Sequence, residues 1–276
     1  MQSMKRLVYI FFVGIILSSC GEYSKVLNKG KNAERYKLAE ELYKKEDYKK
    51  AIPLFEKLVG PYAGKPQMER IQFMIADSYY QSGDYTLSSY YFTKFITNYS
   101  ESTKVEEARY LSARSYYMSA PKYSLDQQDT YKALTAFQEF IDIYPGTELA
   151  DEANKYYQEL TTRLEKKDYE IARQYYHTEN YVAAIMAFDT FNEEHLGSEF
   201  KEDALYFKFK STYELGLNST FGKKEERLSN AKMAYQKFQK SFPESKKMKE
   251  MNNKLSQINQ ELESTQERTK IILRKQ

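Results

Sequence analysis

YKLAEELYKKEDYKKAIPLFEKL (residues 36–58) and FMIADSYYQSGDYTLSSYYFTKF (73–95) lie 37 residues apart and share one pattern. Tyr36, Phe73 and Tyr110 keep that spacing, as do Ala39, Ala76 and Ala113, and again Tyr43, Tyr80 and Tyr117. A fourth copy, shifted by 59 from the third, supplies Tyr169, Ala172 and Tyr176. Each copy has apolar residues at helical spacing. Each is followed by a second apolar stretch: AIPLFEKL (51–58), SSYYFTKFI (88–96), ALTAFQEFI (133–141) and AAIMAFDTF (183–191), with AKMAYQKF (231–238) as a fifth. Several close on a related stop, NYSES (98–102), IYPGT (143–147) and SFPES (241–245), where Pro or Gly ends one helix and Ser or Thr can cap the next.

A repeated helix–turn–helix unit of 34 or so residues, with a small residue in each helix, is the tetratricopeptide (TPR) pattern. The sequence therefore predicts an all-α fold, a TPR superhelix of about five repeats. An N-terminal TPR pair is expected over 32–100, further TPR repeats over 101–243, and a C-terminal helix and tail over 244–276. Residues 147–178 contain no strong breaker and read as one long helix joining the third and fourth units. Extra loops are expected near Ser119–Gln127 and Gly216–Ser229. The fifth unit matches least well, with Lys210 standing where Ala is expected.

The chain opens differently. Lys5 and Arg6 precede an apolar run from Leu7 to Leu17, which ends in Ser18, Ser19 and Cys20. This is the layout of a secretory signal peptide over 1–19, and the run is too short for a bilayer span of roughly 20 residues. Leu17-Ser18-Ser19-Cys20 resembles the bacterial lipobox, in which the cysteine is lipidated and becomes the mature N-terminus. Cys20 is the only cysteine of the chain and so makes no internal disulfide. Its expected role is to carry lipid, with residues 20–31 serving as a polar tether. Gly21 follows it, not the Asp that commonly retains lipoproteins at the inner membrane, so the resemblance implies the outer membrane.

Composition excludes several classes of function. Net charge is +3, falling to about +1 without Lys5 and Arg6, which leaves no electrostatic footprint for nucleic acid. His177 and His195 are the only histidines, and neither belongs to a spaced ligand set. No Gly-rich phosphate loop or nucleophile elbow occurs. No metal, cofactor or catalytic residue is expected, apart from the covalent lipid.

The chain has 27 tyrosines and no tryptophan. Tyrosine combines apolar area with a polar tip, so these side chains must be shared between core and wet surface. Positions three before and four after the conserved Ala lie two helical turns apart and share a stripe. They hold Tyr36 and Tyr43, Phe73 and Tyr80, Tyr110 and Tyr117, Tyr169 and Tyr176, eight aromatics in eight slots. Just after each Ala stand Glu40, Asp77, Arg114 and Arg173, so charge changes sign halfway. Two readings are open. The rings fill space between adjacent helices, or they line a peptide-binding groove in which Arg114 or Arg173 meets a carboxylate.

With its lipobox, degenerate repeats and long central helix, the chain resembles the BamD family of outer-membrane assembly lipoproteins. The most telling segment is YPGTELADEANKYYQELTTRLEKKDYEIARQYYHTENYVAAI (144–185), including Arg163–Lys166 and Tyr175–Tyr176. The resemblance implies a lipid-anchored subunit on the periplasmic side of the outer membrane of a Gram-negative bacterium. It would dock on the BamA periplasmic domains, alongside other lipoproteins of that machinery, and bind unfolded outer-membrane β-barrel proteins. By the same resemblance the N-terminal repeats serve substrate and the C-terminal repeats serve partner subunits. The alternative is a TPR lipoprotein that stacks carbohydrate or peptidoglycan on the same aromatics.

Overall fold

A computed structural model describes residues 21–274; the signal peptide expected over 1–19 and the lipidation expected at Cys20 lie outside the described residues. Among the described residues all regular structure is helical. Residues 21–29 form α1, followed by α2 (Asn32–Lys44), α3 (Tyr48–Glu56), α4 (Gln67–Gln81), α5 (Tyr85–Asn98), α6 (Val105–Ser119) and α7 (Gln128–Ile143). The long helix α8 (Glu148–His177) comes next, then α9 (Tyr181–Glu194), α10 (Lys201–Leu217), α11 (Phe221–Ser241) and α12 (Met248–Arg274). The chain is thus a series of TPR-type helix hairpins.

A short motif makes three of the hairpin turns. KEDY (45–48), SGDY (82–85) and TENY (178–181) each place a left-handed residue after the first helix: Glu46 at φ 60°, Gly83 at 84° and Glu179 at 58°. In that conformation the next N–H turns back to satisfy an orphan carbonyl, from Asp47 to Leu42 (2.9 Å), Asp84 to Tyr79 (3.0 Å) and Asn180 to Tyr175 (2.9 Å). The same Asp84 and Asn180 side chains accept from the N–H groups of Leu87 and Ala183, capping the second helix. The tyrosine that follows opens that second helix. Four second helices end alike, the N–H groups of Tyr99, Tyr144, His195 and Phe242 bonding the carbonyls of Phe95, Phe140, Phe191 and Phe238 at 2.8–2.9 Å.

The described chain divides into two compact units, one of residues 21–121 and 126–160, the other of 122–125 and 161–274. Residue 100, where the expected N-terminal pair ends, lies inside the first unit. α5 and α6 pack through Phe92, Phe95 and Ala108, and Ser88 Oγ meets Ser115 Oγ at 2.9 Å in a buried seam. In the first unit the hairpins α2/α3, α4/α5 and α6/α7 stack in order, and the first part of α8 closes the third with Ala150, Ala153 and Leu160. In the second unit the rest of α8 pairs with α9, and α10, α11 and α12 share one core around Phe209, Phe238 and Ile258. Ala39, Ala76, Ala113 and Ala172 are wholly buried, as the repeat register requires.

Three expectations change. The polar tether is helical over 21–29, because Tyr23, Val26 and Leu27 form a stripe that packs on the first core cluster. Tyr23 also donates its hydroxyl to the Lys50 carbonyl at 3.0 Å. The loop expected over 216–229 is a three-residue connection, since α11 already begins at Phe221. Gly216 permits it: a Cβ there would come within 2.9 Å of the Leu228 side chain and 3.3 Å of its backbone nitrogen. The fifth unit keeps the 37-residue register as well, with Tyr206, Phe209 and Tyr213 following Tyr169, Ala172 and Tyr176. Phe209, fully buried, takes the Ala position, and Lys210 belongs to the charged position after it.

The packed Ala face predicts that Ala76→Trp or Ala113→Trp lowers stability by about 1–3 kcal/mol through overpacking, read as a shift of the chemical denaturation midpoint. An unchanged midpoint in both variants contradicts this face.

The turn motif makes a second prediction. An L-residue at positive φ costs about 1–2 kcal/mol, against about 0.5–1 for the backbone freedom a glycine loses. Glu46→Gly and Glu179→Gly should therefore raise the melting temperature slightly, and Gly83→Glu should lower it.

Candidate functional site

The ladder follows a rule that can be stated residue by residue. Rings three before the Ala pack chiefly onto the second helix of their own hairpin. Phe73 meets Phe92 and Phe95 edge-on at 5.8 and 5.4 Å, Tyr110 meets Phe140 at 5.7 Å, and Tyr169 lies against Phe188 and Phe191. Tyr36 instead stacks on Tyr62 at 5.7 Å. Tyr110 and Tyr169 are only 4 and 5 % exposed, so the groove-lining role expected of them gives way to packing. Desolvation pushes the Tyr169 phenol up to about 12.

Rings four after the Ala do something else. Tyr43, Tyr80 and Tyr176 each meet the tyrosine that opens the next helix, Tyr48, Tyr85 and Tyr181, at 5.5–6.0 Å. Their outer ends then reach the following first helix. The Tyr43 hydroxyl donates to the Asp77 carboxylate, the Arg114 guanidinium lies over the Tyr80 ring at 5.9 Å, and the Lys210 ammonium lies over Tyr176 at 5.3 Å. Asp77, Arg114 and Lys210 are the charged residues after the Ala of the next repeat. That position receives the previous repeat's tyrosine, an acid by hydrogen bond and a cation through the ring face. The change of sign along the chain is a change of receiving group.

Departures from the rule have local causes. Tyr117 precedes the long α8 and finds Tyr156 at 4.5 Å and Glu159 Oε1 at 2.8 Å. Arg173 pairs within its own helix, with Glu170 at 3.0 Å and His177 at 3.2 Å. Glu40 pairs with Arg70 at 2.9 Å. At the last step α12 receives the rings, Tyr206 donating to Glu250 at 2.6 Å and Tyr213 to Gln257, with Lys254 over Tyr213 at 4.0 Å. Sequence reading passed over Tyr206, Lys210 and Tyr213 as ladder members because Phe209 fills the Ala position and the pattern match falls on Lys210 beside it. The spacing of 37 from Tyr169 and Tyr176 is the signal that finds them.

Arg114 sits between two rings, Tyr80 at 5.9 Å and Tyr156 at 5.8 Å. Arg114, expected to meet a carboxylate, lies in this sandwich, with Glu152 supplying negative charge nearby. The Tyr110 phenol beside it, the Tyr156 hydroxyl that donates to it at 3.0 Å and the Arg114 guanidinium hold the Glu152 carboxyl below its ordinary 4.5.

An open part of the stripe lies in the first unit. Tyr43, Phe73, Met74 and Phe95 floor a cleft of about 430 Å³ whose rim carries Lys44, Arg70 and Lys104, together with Glu69. Lys104 lies 5.3 Å from the Phe73 ring centroid. Arg70 is paired with Glu40 at 2.9 Å and Lys104 with Glu107 at 2.7 Å, so a ring or aliphatic chain that ends in a carboxylate would meet Lys44 directly and share the other two cations with these acids. Among the described residues no cluster of His, Cys, Asp and Glu could hold a metal ion, and no helix is long and apolar enough to cross a membrane.

The profile of YfiO, described as an outer membrane lipoprotein, matches residues 28–228. The chain belongs to the YfiO family of outer-membrane lipoproteins. This bears out the resemblance to BamD drawn from the repeats. No curated protein matches the chain. Among solved structures, a crystal structure of a Podosopora anserina protein with nearly identical TPR-like repeats aligns over 86% of this chain and 95% of that one, with 13% identity and a TM-score of 0.32.

Two measurements test the ladder. Tyr43→Phe leaves the nearly buried Asp77 carboxylate without its phenol donor and should lower stability by about 1–3 kcal/mol, whereas Tyr90→Phe, at an exposed ring, should be silent.

Glu152 has a depressed pKa when folded, so it contributes stability above 4.5 that is lost as pH falls through the lowered value. Acid titration of stability should therefore be flatter in Glu152→Gln than in wild type.

Proposed function

We propose that this protein is a non-catalytic scaffold of the outer-membrane β-barrel assembly machinery, anchored by lipid on Cys20. In this reading it docks on the periplasmic domains of a BamA-type barrel, and its N-terminal repeats hold unfolded outer-membrane protein segments. The membership of the YfiO family over residues 28–228 carries the reading. The cleft under Lys44, Arg70 and Lys104 supports the substrate part of it. A barrel-protein segment ending in an aromatic residue offers a ring for Phe73 and Tyr43 and a terminal carboxylate for the rim. Of the ladder residues, Tyr36, Tyr43, Phe73 and Tyr80 form the proposed groove, and Arg114 lies over the Tyr80 ring.

The test is titration of the mature protein with a peptide that ends in phenylalanine and a free carboxylate. Arg70→Glu should weaken binding, more at low salt than at high salt. Phe73→Ala should weaken it by about 2 kcal/mol if that ring is an anchor. Equal binding by wild type and both variants removes the cleft from the proposal. Recovery of a BamA-like barrel from detergent-solubilised envelope tests the docking part separately.

The anchor has its own measurement. Cys20→Ser should leave a precursor or soluble form in cell fractionation, while unchanged acylation and membrane fractionation would contradict it.

A further inference from the structure

A second concave surface in the first unit involves none of the ladder. α5 and α7 form its walls and α6 its floor, in two adjoining stretches of about 780 and 550 Å³ that share Thr93, Thr97, Tyr116 and Lys132. Both volumes suit a small-ligand site. On α6 the floor residues Arg109, Ser112 and Tyr116 recur at helical spacing, about a third of a turn from Tyr110, Arg114 and Tyr117.

We propose that this groove binds a carboxylate-bearing oligosaccharide chain. Its lining is dominated by hydroxyls, from Thr86 at one end to Thr135 at the other. A hydroxyl both donates and accepts, which is what a sugar's own hydroxyls require. Tyr90 on one wall and Tyr131 on the other are 57 and 59 % exposed, so each offers a ring face on which a pyranose can stack. Wall and floor helices satisfy their own backbone groups, so an extended peptide finds no free backbone partners there. Large apolar residues that would seat its side chains are few, chiefly Ile96 and Phe140.

The charge comes from Arg109. Arg109 is partly buried in the floor, and its guanidinium makes no hydrogen bond or ion pair with the described residues. A partly desolvated cation without a partner favours an incoming anion. Asp129 on the rim is neutralised by Lys132 at 2.9 Å. Lys94 and Arg109 then outweigh Glu139, which leaves the lining net positive.

Tetragalacturonate is the probe, titrated calorimetrically into the mature full-length protein, with chitotetraose as a neutral sugar and tetraglutamate as an acidic peptide. Saturable binding of tetragalacturonate is expected, stronger than that of either control. Arg109→Gln should weaken it about tenfold, as loss of one charge-assisted hydrogen bond would. Tyr131→Ala should weaken it several-fold, Arg109→Lys should restore part of the loss, and Phe73→Ala should have no effect. Thermal melts check that the variants remain folded, and Tyr131 is exposed enough that its replacement leaves the core intact. No saturable binding at millimolar probe, equal binding by wild type and both groove variants, or tighter binding of tetraglutamate would each overturn the proposal. The residues and probe are separate from those of the ladder cleft, so either proposal can fail alone.

Discussion

The tyrosine four residues after the repeated Ala position is the contact on which successive repeats depend. A helix hairpin cannot bury its own apolar faces and gains stability only from its neighbours. Here one ring joins three elements. Tyr43 touches Tyr48 at the start of its own second helix, Phe55 within it, and Asp77 on the following hairpin. Phenylalanine could supply the first two contacts and not the third. The wholly buried alanines set the distance between helices, and the tyrosines fix their register. Aromatic pairs contribute about 0.5–1.5 kcal/mol each beyond their buried area, so a series of them is large against the net stability of a domain.

This use of the phenol explains the composition. Tryptophan is larger, and its one N–H would need an acceptor placed differently at every repeat. Tyrosine meets an acid, an amide or a cation equally well, through its hydroxyl or its face. The receiving position exploits that freedom, holding Asp77, Arg114 and Lys210 in turn. Burial and neighbouring carboxylates push the phenols of Tyr43 and Tyr206 upward, so these bonds persist across the physiological range.

The fold was legible because its signal is periodic. Recurrence of Tyr36, Ala39 and Tyr43 every 37 residues fixed both the hairpins and the buried face, and a lack of breakers over 147–178 marked α8. The hairpin turns KEDY, SGDY and TENY carry a signal of their own, a motif of chemistry more than of hydrophobicity, which the 37-residue period does not use. What escaped the pattern was local. Residues 21–29 look polar by composition, and only the spacing of Tyr23, Val26 and Leu27 reveals a docked helix. The α10–α11 turn rests on one glycine, since Gly216 lets Leu228 approach where any side chain would hold it off. For the site, the stripe was visible in sequence but its direction was not. Periodicity places Tyr110 and Tyr36 alike; the partners around each ring decide that one is buried and the other half-open.

The same partners determine where binding capacity remains. From Tyr110 onward the ladder rings lean on α8, α10 or α12, or lie within the core, and the cations beside them are engaged by rings and carboxylates. A ligand there would have to displace contacts that hold the repeats together. At the N-terminal end Phe73 keeps one flank toward a cleft, and Lys44, Arg70 and Lys104 stand on its rim. α1 packs on the same core cluster as α2 and α3, which stiffens this end without covering the cleft residues. Packing that consumes the ladder rings from Tyr110 onward therefore leaves Tyr43 and Phe73 as the part of the stripe that borders an open cleft.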